Sequence, residues 1–376
     1  MTRPGRRLLR GVRAAWANWQ AATIPHSALG ESLVFGQQHV GTQSFFRDLL
    51  GQAHTIPLSK FPHYEFLESH ADQEPTDSSL YACYLNASWA YLYGEDGNTA
   101  KRRVERMQEF IRLYRNIESR KQLGPRAIRV PVSVCKRPDG RLIIVSGNHR
   151  ASAALKLGLD LRVAFVDRTE HLRKVASVPD EFYGSGRLEM PYQSIFSGET
   201  ELLRGRRPDV LDRIKAMRPD DLNGKSILEL GCNIGSNCFI ATHRGVAKAT
   251  GVDYSPRLIS AAARLNAFMA APAFFRVHDL NIELQDQEPA HTVFCFSVVN
   301  HLQNRDALVR TILNKTAAVL YWEGHAGKQR QDYDYLLRDE FFSSVEFLGN
   351  MRDGIHTQKA SRPLFRCAIR RQSGSR

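Results

Sequence analysis

The six cysteines of this 376-residue chain (Cys83, Cys135, Cys232, Cys238, Cys295 and Cys367) include no Cys-x-x-Cys pair and no zinc-ligand spacing. That argues against a disulfide-stapled fold and a zinc module, and predicts buried thiols, a reduced cytosolic setting and no metal centre. No apolar run approaches the ~18 residues of a membrane span, so no crossing segment is expected. The compositional bias of disordered or fibrous chains is also missing, with 43% hydrophobic and 24% charged residues. At about 150 residues per domain, the length suits two domains. Acidic charge is the scarcer sign: 52 Lys+Arg against 39 Asp+Glu leave +13. An excess of this size points to an anionic partner, and nucleic acid, a membrane surface and a phosphorylated metabolite all qualify.

Acidic residues are absent until Glu31, whereas Arg3, Arg6, Arg7, Arg10 and Arg13 precede it. On a helix these arginines share one sector, opposite Leu8, Leu9, Val12, Ala15, Trp16 and Trp19. A basic face against a Leu/Trp face suits peripheral contact of residues 1–20 with anionic lipid at the inner face of a membrane. An organelle transit peptide shares the composition, but a secretory signal does not, for want of an apolar core and a cleavage site. A frayed basic tail, or a helix docked on its own domain, is the plainer reading of the same pattern. Residues 1–30 are read as this arm.

Residues 56–70 are prolyl and aromatic, which predicts a loop or short extended stretch. A helix is expected from Asn98 or Thr99, with Val104, Met107, Phe110, Ile111, Tyr114 and Ile117 as its apolar stripe and Gly124-Pro125 as its stop. Strand-like Ile128–Cys135, a Pro138-Asp139-Gly140 turn and Arg141–Val145 form a hairpin. Ser146-Gly147-Asn148-His149-Arg150 then opens a helix that Gly158 stops, and Leu161–Val166 is a third strand. Backbone N–H groups and a guanidinium at a helix start suit an anion. An N-cap with a surface arginine suits the same residues.

The order strand, Asp-Gly turn, strand, Gly-Asn-His-Arg, Ala-rich helix, strand resembles the ParB/sulfiredoxin superfamily over about residues 128–166. The resemblance implies a small α+β domain over 31–170 whose turn, Gly147, Asn148, His149 and Arg150, contacts nucleotide phosphate. The reactive cysteine of the sulfiredoxin branch is replaced here by Asn148 or His149, and no helix-turn-helix follows. A specificity or scaffold module is therefore expected, in place of DNA segregation or sulfinic-acid repair.

Residues 171–207 read as a linker, with a lead-in helix over Glu199–Met217 opening a second domain, 208–376. Gly224-Lys225-Ser226 is not a phosphate loop: position 219 is Pro, and the triplet precedes a strand. That strand, Ile227–Leu230, carries Glu229 into Gly231-Cys-Asn-Ile-Gly235 and a helix near Ser236. An acid before a glycine turn disfavours phosphate and suits an ammonium group, while Asn233 tolerates a left-handed backbone. Strand Ala249–Val252 ends in Asp253, placed to accept hydrogen bonds from ribose hydroxyls. Further strands are Phe274–His278 before Asp279, Thr292–Phe296 before Ser297, and Ala317–Trp322 before Glu323. A closing antiparallel pair near Val345–Leu348 and Leu364–Ile369 completes a doubly wound α/β sheet.

This pattern resembles the class I S-adenosylmethionine (SAM)-dependent methyltransferases, Rossmann-like proteins whose cofactor is SAM. The resemblance implies Glu229, Gly231, Asn233 and Gly235 around the methionine moiety and Asp253 with Tyr254 at the ribose. It puts Asp279 and Leu280 beside the adenine and Phe296 and Ser297 at the pocket's close. Asn300, His301, Glu323 and His325 follow strands four and five, where an acceptor would lie; His325 or His301 is the expected base, with Glu323 the third catalytic candidate. A structural histidine fits either position as well. The motifs of base-directed DNA methyltransferases are absent. The residues Ser297–Leu302 resemble the small-molecule and lipid branch, and the expected reaction is O-methylation of a small-molecule, glycan or lipid-linked acceptor. An RNA-directed methyltransferase using the basic surface and a non-catalytic adaptor are the alternatives.

Overall fold

The computed structural model divides into two units, Met1–His171 and Leu172–Arg376. The residues it describes are 21–36, 55–72, 79–93, 99–176, 178, 190–325, 329–337, 341–352 and 361–370. The arm predicted over residues 1–20 lies outside them.

The first unit opens with β1 (Ala21–Ile24), α1 (His26–Ser32), β2 (Leu33–Gly36) and β3 (Thr55–Pro57). Three helices follow, α2 (Pro62–His70), α3 (Leu80–Tyr93) and α4 (Thr99–Glu118). Then come β4 (Val132–Lys136), β5 (Leu142–Ser146), α5 (Asn148–Leu157) and β6 (Leu161–Phe165), and the division between the units falls within α6 (Arg168–Ala176). The strands form one mixed sheet in the order β1-β6-β4-β5-β2-β3. β4 and β5 pair antiparallel, as the Asp139-Gly140 turn predicted, with Gly140 at φ 86°. The stripe on α4 buries Met107, Phe110, Tyr114 and Ile117 against α2 and α5.

Four expectations for this part of the chain are corrected. Residues 62–70 are a helix where a loop was expected, because Pro62 occupies its first turn, where no N–H is needed. His63, Phe66 and Leu67 are that helix's buried face. Residues 21–30 are no part of an arm, since β1 pairs with β6 and Leu29 on α1 is fully buried. The first hairpin strand starts at Val132 instead of Ile128, after Pro131 interrupts the run. Cys83 is exposed, while the other five cysteines are buried free thiols.

The second unit begins with a hairpin, β7 (Ile195–Ser197) and β8 (Thr200–Leu203), then α7 (Val210–Lys215). The continuous helix expected over 199–217 does not form. Gly205 lies so close to the Gln193–Ser194 backbone that a Cβ would sit 2.3 Å from a backbone carbon, and Pro208 biases the residue before it away from helix. Residues 190–207 therefore fold with this unit and do not act as a bare linker.

The main sheet comprises β9 (Ser226–Leu230), β10 (Lys248–Asp253), β11 (Ala273–Val277), β12 (Ala290–Phe296), β13 (Thr316–Glu323), β14 (Phe342–Arg352) and β15 (Ser361–Ile369). Between them run α8 (Ser236–His243), α9 (Pro256–Met269), α10 (Arg305–Lys315) and α11 (Gln329–Leu337). The strand order is β11-β10-β9-β12-β13-β15-β14, with the first five parallel and β15 inserted antiparallel between β13 and β14. Strand order reverses between β9 and β12, and open parallel sheets bind ligands in the crevice at such a switch. Among the described residues no helix is long and apolar enough to cross a membrane.

Candidate active site

At the centre of the sheet, β9 is buried between β10 and β12, so its one acid stands among apolar neighbours. Glu229 accepts hydrogen bonds from Asn237 Nδ2 at 2.6 Å and Cys238 Sγ at 3.1 Å. Burial pushes its carboxyl up to about 7; the two hydrogen bonds pull the other way and the Asp253 charge adds to the rise. The chain then turns sharply. Gly231 is at φ 76°, and a Cβ there would sit 2.6 Å from Val298 Cγ2. Asn233 is left-handed at φ 53°, and its Oδ1 accepts from the Ile234 N–H at 2.9 Å, the local bond that suits Asn to this region. Gly235, at φ 81°, does not line the cavity described below. A Cβ on it would meet the Phe275 ring at 2.5 Å, so it lets α8 pack onto the sheet.

Asp253 ends β10 and ties the turn to the neighbouring strand. Its Oδ2 accepts from the Asn233 N–H at 2.9 Å and its Oδ1 from the Ser255 N–H at 3.1 Å. Beyond β11, Asp279 Oδ1 accepts from the Asn281 backbone N–H and Nδ2, both at 2.9 Å. Leu280 beside it is buried.

Across the switch point a charge cluster is fully buried. Arg207 donates to Asp209 through Nε and Nη2, at 2.8 and 2.6 Å. Arg213 donates through Nε to Glu323 Oε2 at 2.5 Å and through Nη2 to Asp209 Oδ2 at 2.8 Å. Arg207 Nη2 also lies 3.5 Å from Glu323 Oε1, to which Ser297 Oγ donates at 2.5 Å. Ser297 holds φ 57°, unusual for a non-glycine residue, and the Arg213 guanidinium lies over the Phe296 ring at 5.4 Å. Glu323 was a catalytic candidate; its carboxylate is sealed at 0% exposure and paired with three arginines, Arg207, Arg213 and Arg362, so it organises the wall and is not open to an acceptor.

These elements enclose a cavity of about 300 Å³. Of the residues read from sequence as cofactor contacts, Glu229, Gly231, Asn233, Asp253, Tyr254, Asp279, Leu280, Phe296 and Ser297 line it. His301 also lines it; His325 does not, though its ring lies 6.1 Å from that of His301. Sequence reasoning missed Gln193, Arg207, Arg213 and Asn237 in the wall. The Arg207-x-Asp209-x-x-x-Arg213 spacing just ahead of β9 was the available signal.

In the first unit the Gly147 turn forms as expected, with Gly147 at φ 104° before α5. Its side chains are turned inward. Arg150 Nη1 donates to the Val130 and Pro131 carbonyls at 2.7 and 3.0 Å, bracing the chain that enters β4. His149 Nε2 is 2.7 Å from the Tyr81 hydroxyl, and its ring packs on His63 and Phe110. Burial first, then the Arg106 and Arg150 charges, push His149 down to about 3, so it is neutral and no cation for phosphate. Both side chains are thus engaged within the unit itself, His149 with Tyr81 and Arg150 with the Val130 and Pro131 carbonyls.

Residues 228–321 match the family model described as a methyltransferase domain. Among solved structures, the N-terminal domain of EvdMO1 in the presence of S-adenosylhomocysteine (SAH) and D-fucose is 16% identical, with TM-score 0.40 over 55% of this chain and 98% of that one. Magnesium protoporphyrin IX methyltransferase (ChlM) from Synechocystis PCC 6803 with bound SAM is 16% identical, with TM-score 0.37 over the same shares. The branched-chain polyamine synthase from Thermus thermophilus is 18% identical, with TM-score 0.34 over 43% of this chain and 55% of that one. No curated protein matches the sequence. The domain match falls on β9 to β13 and so includes β9, β10 and β12, whose ends line the cavity. The match marks residues 228–321 as a SAM-dependent methyltransferase domain, with SAM as its cofactor.

The residues present fit that cofactor. Asn237 keeps its Oδ1 buried without a hydrogen-bond partner in the wall, and the left-handed Gly231 keeps the turn's backbone bare.

Proposed function

We propose that the second unit transfers the SAM methyl group to a hydroxyl of a small-molecule acceptor, with His301 as the base. Bound SAM supplies a methyl group on a positively charged sulfur that is already a good leaving group. The chain's work is then to seat the cofactor, bring a hydroxyl into line with that methyl and receive one proton. In this reading Glu229 and the Gly231–Asn233 backbone take the methionine end, and Asp253 accepts from the ribose hydroxyls. Tyr254 and Leu280 cover the rings, and Asp279 with Asn281 meets the adenine. Phe296 and Ser297 close the pocket on the acceptor side. His301 accepts the hydroxyl proton at a ring nitrogen, and His325 positions it from the end of β13.

The observation that carries the proposal is the single cavity wall holding Glu229, Asp253, Asp279 and His301 together. Glycan and lipid-linked hydroxyls belong to the same acceptor chemistry. For the first unit, the run β4, β5, Gly147 turn, α5, β6 supports a ParB/sulfiredoxin-like module that binds substrate or nucleotide phosphate. With His149 and Arg150 engaged internally, that binding falls to the N–H groups of the Asn148 turn.

The test is incubation with methyl-labelled SAM and a panel of hydroxyl, amine and carboxyl acceptors, followed by identification of the methylated atom. An O-methyl product, with kcat cut about 10²–10⁴-fold in His301→Asn and partly recovered as pH rises, is expected. An N-methyl product, or full activity in His301→Asn, overturns the reading.

A further inference from the structure

Arg207 and Arg213 do more in the cavity wall than balance charge. Both line the cavity, with side chains 2% and 4% exposed. Each commits Nε and Nη2 to Asp209 or Glu323. Among the described residues the Nη1 of neither makes a hydrogen bond, and neither Nη1 is sealed from solvent. No other arginine or lysine lines the cavity among these residues. A buried guanidinium locked on two sides with its third edge open is a preorganised donor for a planar anion.

SAM brings one anion, the α-carboxylate of its methionine moiety, next to an ammonium group. The Glu229 side of the wall suits the ammonium, together with the unpartnered Asn237 Oδ1, and would repel a carboxylate. We propose that Arg207 and Arg213 hold the cofactor's α-carboxylate through their open Nη1 donors, with Asp209 and Glu323 fixing the two guanidinium planes. The assignment rests on the cofactor seating proposed above. It also accounts for a buried cluster of three arginines and two carboxylates beside a ligand pocket, where an apolar wall of equal volume would be no less stable.

The full chain is titrated calorimetrically with SAH and with its decarboxylated counterpart, which keeps the amine and lacks only the carboxylate. Wild type is expected to prefer SAH about ten- to a hundred-fold. In Arg207→Lys and Arg213→Lys, which keep a cation beside Asp209 and Glu323, the preference is expected to shrink to about threefold or less. Equal affinity of wild type for the two ligands overturns the proposal. An undiminished preference in both folded variants does so too, and leaves the pair to an anionic acceptor. If a variant fails to fold, a crystal structure of the wild-type SAH complex decides: carboxylate oxygens within about 3.5 Å of either Nη1 support the assignment, and any other placement refutes it. Folded wild type that binds neither ligand defeats the cofactor seating itself, a separate and recognisable failure.

Discussion

Glu229→Gln should make the ligand-free protein more stable at alkaline pH while removing a cofactor contact. The native carboxyl titrates at about 7 against an ordinary value of 4.5, and burial is the main cause. Between those values the folded state holds a proton that the unfolded chain releases, so native stability falls as pH rises through the window. That rise corresponds to about 3 kcal/mol, fully present as a penalty above about pH 8 and absent near pH 4.5. Glutamine keeps an oxygen for Asn237 Nδ2 and carries no charge to desolvate. Urea unfolding of both proteins at pH 5 and pH 8.5 reads the difference, in which every other titrating group cancels. The variant should match wild type at the lower pH and exceed it by about 2–3 kcal/mol at the higher. A variant less stable than wild type at pH 8.5, or a difference that ignores pH, would falsify the account of Glu229.

The remaining expectations concern the same wall and the first unit. If the cofactor's ammonium needs Glu229 ionised, SAH affinity should drop about tenfold per pH unit below about 7 in calorimetric titrations, and affinity flat down to pH 5 contradicts it. Gly235→Ala places a methyl against Phe275 at a left-handed position, so it should cost about 2–4 kcal/mol by chemical denaturation; a loss under about 1 kcal/mol speaks against the packing described. Glu323→Gln leaves three buried guanidinia short of a carboxylate and should lower stability by about 3–5 kcal/mol, which a melting curve with no shift rules out. His149 sits at about 3 against an ordinary 6.5, so its contribution to the first unit's stability, up to about 4–5 kcal/mol, should disappear as pH falls through that range. His149→Gln should flatten the acid transition seen in near-ultraviolet circular dichroism, and an unchanged transition counts against it.

Much of the second unit was legible because its signals are local. Glu229, Gly231, Asn233 and Asp253 belong to strand ends and one tight turn, where chemistry and backbone demands are set by neighbours a few residues away. Strand positions could be read from apolar runs, since β9 and β12 are covered on both faces. Arg207 and Arg213 escaped because their partner Glu323 is more than a hundred residues distant, and only the folded sheet shows that charges on a polar-looking stretch are buried. The same limit hid the role of Glu323, whose place at a strand end suggested an acid open to substrate. In the first unit, Pro62 read as a breaker although it starts a helix, and His149 and Arg150 read as anion ligands although Tyr81 and the 130–131 carbonyls claim them. A dipeptide pattern reports which contacts a residue could make, and packing decides which it does make.

The central claim is that the crevice beside β9 and β10 seats SAM with Asp253 on the ribose. Calorimetric titration of the whole chain with SAH, beside Asp253→Asn, tests it most directly. Asparagine keeps an oxygen for the Asn233 N–H and loses the carboxylate. Micromolar binding by wild type, weakened about tenfold or more in the folded variant, is the predicted result. Folded wild type that gives no binding heat, or a variant that binds equally well, contradicts it.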